Sequence, residues 1–308
     1  MLSQRPFHGL RNGPAGVELA IVKGQRCIRT RRSAFTLIEL LVVIAIVVIL
    51  ASLILPVLAR GKNKSQQISC LSNIRQLNVA VMLYADDNSD SLPYNLGATE
   101  IKQSLANGDK KNWENSVLNW ELDPANTNTF LNTEAGLSEY IGHVARVFRC
   151  PSDNALSAIQ RSAGWIERSR SISMNAMIGN AGAFLVGDVN SNNPSYHQFR
   201  KFGEFTSTSE IFIFIEEHPD SINDGYFINR AAQYAWNDLP ASWHLGGANL
   251  SFGDGHAEIH RWKNASTQKP AQPDAANLPF ALSEAERGDF YWLLKRTSTY
   301  DETATDDN

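Results

Sequence analysis

Charge is almost missing from one stretch of this 308-residue chain. Between Phe35 and Ala59 the only ionisable side chain is Glu39. An apolar helix of roughly 20 residues crosses a bilayer at about 1.5 Å per residue, so this run is long enough to span one. A carboxylate inside such a run costs on the order of 2.5–3.5 kcal/mol on insertion scales and needs a partner. Basic residues are the second shortage. Residues 1–34 hold seven Lys and Arg against one Glu; the chain totals are 28 Lys and Arg and 32 Asp and Glu, which leaves 21 against 31 from residue 35 on, a formal net charge of −10. No basic patch remains to argue for nucleic acid. The basic residues ahead of the apolar run place 1–34 in the cytoplasm and the C-terminal bulk outside, by the positive-inside rule. Cysteine is scarce, with Cys27, Cys70 and Cys150 alone. Apolar residues are not scarce: at 43% of the chain they suffice for a sizeable core in one or two domains.

Beyond the apolar run the pattern becomes amphipathic. Cys70, Ile74, Leu77, Val81 and Tyr84 recur at spacings of three and four, one helical face. Lys64, Gln66, Ser72, Asn73, Gln76 and Asn78 fill much of the remainder. Phe35 to about Tyr84 therefore reads as one helix on the order of 75 Å long, with kink points at Pro56 and Gly61. Asp86 to Ser91 ends it. Gly97 to Asn132 reads as irregular surface with short helical pieces, Leu137 to Ile141 as a short helix, and Gly179 to Pro194 as loop. Strands are expected at Val144–Pro151 with a turn, at Ser171–Asn175, and most strongly at Glu210–Glu216. The last shows no polar alternation, so both its faces should be covered. Ala248–Phe252 and His256–His260 alternate around Gly253-Asp254-Gly255 and form a β-hairpin. After a Pro- and Ala-rich linker from Lys269 to Leu278, Ser283 and Glu286 give a capping box before a terminal helix carrying Phe290, Leu293 and Leu294. An acidic tail, read as disordered, follows from Asp301.

The string Arg31-Arg32-Ser33-Ala34-Phe35-Thr36-Leu37-Ile38-Glu39-Leu40-Leu41 resembles the processing site of type IV prepilins and type II secretion pseudopilins. The resemblance implies cleavage of the leader between Ala34 and Phe35 by a prepilin peptidase, and N-methylation of Phe35. It makes Glu39 the acidic residue that pairs with the N-terminal amine of a neighbouring subunit. Pro56 matches a proline common in that family. Ala34 stands where the family usually has Gly, which keeps a small residue at the cut. The leader is long for the family, which a translation start later than Met1 would account for. Cys27 leaves with such a leader, and the pair left over, Cys70 and Cys150, can form a disulfide in an oxidising compartment; the alternative is two separate buried thiols. An ordinary secretory signal peptide, cut after Val57-Leu58-Ala59, and a plain signal anchor are the competing readings of the run.

A second resemblance lies downstream. His244, nine intervening residues and Asp254-Gly255 match the signature of the H-X9-DG proteins, a pilin-like family with an extracytoplasmic α+β domain. Arg75-Gln76-Leu77, Tyr84-Ala85-Asp86-Asp87-Asn88, Phe148-Arg149-Cys150-Pro151-Ser152-Asp153 and Ser171 to Asn175 resemble that family in the same order. The expected organisation is a leader (1–34), a transmembrane or fibre-core helix (35–59), its amphipathic continuation (60–88), an α+β domain with an antiparallel sheet (89–266), and a linker, short helix and tail (267–308).

Four chemistries compete with purely structural roles for these residues. His256 and His260 sit four apart on a strand, roughly 13 Å, too far to share one ion. His244 with Asp254 is open as a metal pair, but Asp and Gly have a mechanical reason to be in a turn, and His244 can hydrogen-bond the hairpin. Asp86, Asn88 and Asp90 alternate like calcium ligands, yet the EF-hand glycine and its bidentate Glu are missing, which favours a polar helix end over calcium. Trp113, Trp120, Trp236 and Trp243 suit core or interface packing better than sugar stacking. No nucleophile, base and orienter set accompanies His244, so no catalytic residue is expected. The reading is a non-enzymatic pilin-like subunit, single-pass in the inner membrane with the domain outside. It would need no cofactor and would work with a prepilin peptidase, sister subunits and an assembly platform. The alternative is a membrane-anchored surface or ligand-binding protein that uses the same export route.

Overall fold

The structure, a computed structural model, describes residues 35–273 and 275–300. The leader with Cys27 and Ala34, and the tail from Asp301, lie outside the described residues. The chain forms two compact units, one up to Leu53 and one from Ile54 onward.

The helices are α1 (Leu37–Asp87), α2 (Ala98–Ala106), α3 (Phe130–Thr133), α4 (Ala158–Ser162) and α5 (Gly288–Thr297). The strands are β1 (Ile172–Asn175), β2 (Leu185–Val186), β3 (Val189–Asn190), β4 (Phe212–Glu216), β5 (Tyr226–Phe227), β6 (Ala235–Trp236), β7 (Gly247–Phe252), β8 (Ala257–Arg261) and β9 (Phe280–Ala281). The main sheet has five strands in the order β5-β1-β4-β7-β8. Only the β1–β5 pair is parallel within it. A long N-terminal helix followed by a mainly antiparallel sheet is the α+β class that the sequence predicts.

Central strand β4 is buried along all of its length, in keeping with its unbroken apolar sequence. Its side chains divide between two cores. Ile213 and Phe214 join Ile74, Leu77 and Val81 of α1 in one. Phe212 and Ile215 join Trp236, Leu250, Phe290 and Leu293 in the other. Strict alternation would put Phe212 and Phe214 on one face. A register shift between them changes the face, as an extra residue in one strand does. Cys70, Ile74, Leu77 and Val81 are buried, and Tyr84 is half-buried against the first core. Helix α1 is continuous through Pro56 and Gly61. It ends where Ser89 and Asp90 take positive φ, 56° and 66°. The Asn88 carboxamide donates back to Tyr84 O at 2.8 Å, and the Asp90 carboxylate accepts from Gly203 N at 3.1 Å, so these polar side chains close a helix end and do not converge.

Three expectations need correction. Val144–Pro151 is not a strand, because Ala145–Phe148 is a 3-10 turn. Only Phe148 O among its carbonyls meets the sheet region, accepting from Ser171 N at 3.1 Å just ahead of β1. Asn73 Nδ2 donates to Arg146 O (3.1 Å) and Arg149 O (2.9 Å), and Gln66 Nε2 to Pro151 O (3.0 Å), so side chains of α1 satisfy three of the segment's carbonyls. Gly179–Pro194 is not all loop, because β2 and β3 pair antiparallel within it. Finally, residues 112–118 are not surface. Trp113 sits in the first core, with its indole donating to Asn95 Oδ1 at 3.1 Å. The capping box of Ser283 and Glu286 is present but closes a 3-10 turn, Glu284–Glu286, just before α5.

Candidate functional site

Two places carry chemistry-bearing residues: the start of α1 and the junction of α1 with β4 and β7. At the first, Thr36 N and Thr36 Oγ1 both donate to Glu39 Oε2 at 2.8 Å, and Glu39 N donates to Thr36 Oγ1 at 3.3 Å. This is the reciprocal Thr-x-x-Glu capping box, which satisfies donors that a helix start otherwise leaves open. The apolar side chains that follow are exposed, from Leu37 at 76% to Leu58 at 62%. Mean hydropathy reaches 3.3 over an 18-residue window, and none of that window is buried. Among the described residues this is the one helix long and apolar enough to cross a membrane.

At the second place Cys70 and Cys150 are joined by a disulfide. His244 Nε2 lies 3.1 Å from Glu216 Oε1 and 3.4 Å from Cys150 Sγ. Asn249 N donates to Glu216 Oε2 at 2.8 Å. Glu216 and His244 are buried together. The imidazole therefore reaches the end of the central strand and not the hairpin turn. Only its backbone meets the hairpin, through His244 N to Gly247 O at 3.1 Å. Asp254 and Gly255 lie beyond the far end of β7, with Asp254 Oδ1 accepting from His256 N at 3.0 Å. A shared His244–Asp254 site is thereby excluded, since the strand between them is six residues long. Gly255 has φ +91°, and a Cβ there would come 3.2 Å from Met82 Cε of α1. The turn thus needs glycine for its backbone, while the Met82 methyl, at the end of a flexible side chain, can shift.

Beside this junction runs a polar interior that sequence reading missed. Arg170 Nε lies 3.1 Å from Glu114 Oε2, with both side chains fully buried. Arg170 also donates to Ser116 Oγ, Ile172 O and Ser173 Oγ. Burial pushes the Glu114 carboxyl up, and Arg170 and Ser116 pull it back only in part. Burial also pushes Glu217 up to about 8 and Asp224 up to about 6. Native protein thus holds protons that the unfolded chain releases near pH 4. The contribution of these groups to stability should be fully present below that range and lost as pH rises toward 8, by up to about 1.4 kcal/mol per pH unit for each retained proton. Urea unfolding at a series of pH values measures this. Glu217→Gln should flatten the upper part of the slope; an equal slope in the variant would refute the assignment. The signal available in the sequence was weak: charged residues beside strand ends, with no spacing to pair them.

Trp113 and Trp236 are fully buried, as packing predicts. Ala34 of the expected cut lies outside the described residues, and Phe35 is exposed at the first described position.

Comparison with known proteins bears on the N-terminus. Residues 29–55 match the prokaryotic N-terminal methylation motif. The type II secretion system core protein G of Aeromonas hydrophila is 44% identical over 61 residues, which is 20% of this chain and 43% of that protein. The chain thus matches less than half the length of this curated relative. No solved structure matches. The matched segment is a methylation motif running into an exposed apolar helix long and apolar enough to cross a membrane.

Proposed function

We propose that this chain is a pilin-like structural subunit of a type II secretion pseudopilus or a type IV pilus-like fibre. The observation that carries the reading is the exposed apolar helix, interrupted only by Glu39, inside the matched methylation motif. Exposed apolar surface on this scale needs lipid or copies of itself to cover it. In the membrane it is a single-pass anchor of the inner membrane, with the basic leader in the cytoplasm and the α+β domain, read as H-X9-DG type, outside. In the fibre it packs beside the same helix of other subunits. A prepilin peptidase cuts between Ala34 and Phe35, Phe35 is methylated, and an assembly platform takes up the product. Glu39 then faces another subunit's α-amine, which removes two unpaired charges from an apolar setting. The role is structural, with no catalytic step assigned.

Mass spectrometry of the native N-terminus tests this. The expected mature chain begins at an N-methylated Phe35. A chain beginning after Ala59 would make the run an ordinary secretory signal peptide and overturn the reading.

A further inference from the structure

Four ligand-type atoms meet where α1, the Phe148–Ser152 segment, the end of β4 and the loop before β7 converge. Cys70 Sγ, Cys150 Sγ, a His244 ring nitrogen and a Glu216 carboxylate oxygen all lie within 4.8 Å of one another, and all four residues are buried. We propose that reduction of the Cys70–Cys150 bond turns this cluster into a closed, four-coordinate site for Zn2+, with Cys70 Sγ, Cys150 Sγ, His244 Nε2 and Glu216 Oε1 as ligands. The inference does not depend on fibre assembly.

Geometry supports it. Tetrahedral zinc has Zn–S near 2.3 Å and Zn–N or Zn–O near 2.0–2.2 Å, so its ligand atoms stand about 3.3–3.8 Å apart. His244 Nε2 is already 3.4 Å from Cys150 Sγ and 3.1 Å from Glu216 Oε1. Breaking the bond lets the sulfur–sulfur edge open to the tetrahedral spacing, and the remaining edges start within 4.8 Å. Outer donors are in place for two of the four ligands. Ser152 N–H points at Cys150 Sγ (3.4 Å), and Asn249 N–H holds Glu216 Oε2 (2.8 Å). Two thiolates and an imidazole favour zinc over the oxygen-seeking calcium and magnesium.

The step balances with a dithiol as reductant. The dithiol gives two electrons and two protons and becomes a disulfide, and Cys70 and Cys150 become thiols. The cation then displaces the two thiol protons to solvent. While the disulfide is closed neither sulfur carries thiolate charge, so the oxidised and metal-bound states exclude each other.

The test uses the full chain in detergent, with Cys27→Ser to leave one pair of thiols. It is reduced with a dithiol, freed of reductant without oxygen, and titrated with Co2+. The expected result is one equivalent bound, with the visible absorption of tetrahedral cobalt and a thiolate charge-transfer band, bleached by one equivalent of Zn2+. The oxidised chain should give neither. His244→Asn and Glu216→Gln, shown to be folded by circular dichroism, should each weaken Co2+ binding at least tenfold. No tetrahedral spectrum in the folded reduced chain would overturn the proposal, and so would full affinity in both variants. Should either variant lose its fold on reduction, thermal melting of the reduced parent decides. Excess Zn2+ should raise its Tm, and an unchanged Tm counts against the site.

Discussion

Replacing Glu39 with Val is expected to leave the protein in the membrane fraction and to remove it from sheared fibres. Insertion should not suffer, because the substitution deletes a costly charge from the apolar run. Assembly should, because the neighbouring subunit's amine loses its counter-charge in a desolvated setting. Breaking such a pair costs about 3–5 kcal/mol, which corresponds to a hundredfold or greater loss of incorporation. The capping box offers a competing explanation, since Glu39 also holds Thr36 N and Oγ1. Glu39→Gln separates the two. Gln serves in a capping box but carries no charge. Fibre fractions should therefore lack the Gln form as well. Recovery of fibres with Gln would assign Glu39 to helix capping alone, and recovery with Val would remove it from assembly.

Arg170→Met should strongly destabilise the domain. It leaves Glu114 fully buried with only the Ser116 N–H and hydroxyl to hold it. Loss of one partner of a buried pair costs about 3–5 kcal/mol. The deficit should shrink at low pH, where Glu114 takes up a proton, and in a Glu114→Gln background. Denaturant unfolding of the four members of that cycle measures it. A loss under about 1 kcal/mol, or a loss independent of Glu114, would show that the surrounding hydrogen bonds suffice without the ion pair.

What could be read in advance was whatever has a period. The three-and-four spacing of Cys70, Ile74, Leu77 and Val81 gave the packed face of α1. The unbroken Phe212–Glu216 run gave the central strand, and the alternation around Gly253-Asp254-Gly255 gave the hairpin. What stayed hidden has no period. Val144–Pro151 carries strand-like residues, but three of its carbonyls are taken by Gln66 and Asn73, residues more than 70 positions away in sequence. Tertiary partners overrode local preference there. The Glu39 carboxylate and the His244 signature were visible as residues. The partner of His244 was not: Glu216 reads as the polar end of a strand until the fold brings it to the imidazole.

The bond between Cys70 and Cys150 has a mechanical consequence. It joins residues 80 apart in sequence. Tension entering along α1 and leaving through the C-terminal part of the domain would cross from Cys70 to Cys150 directly, and the chain between them would carry none of it. With the bond closed, extension of the protein is shorter by roughly 280 Å of contour, at about 3.5 Å per residue. A reducing environment would release that reserve, so the same subunit would yield further under the same pull.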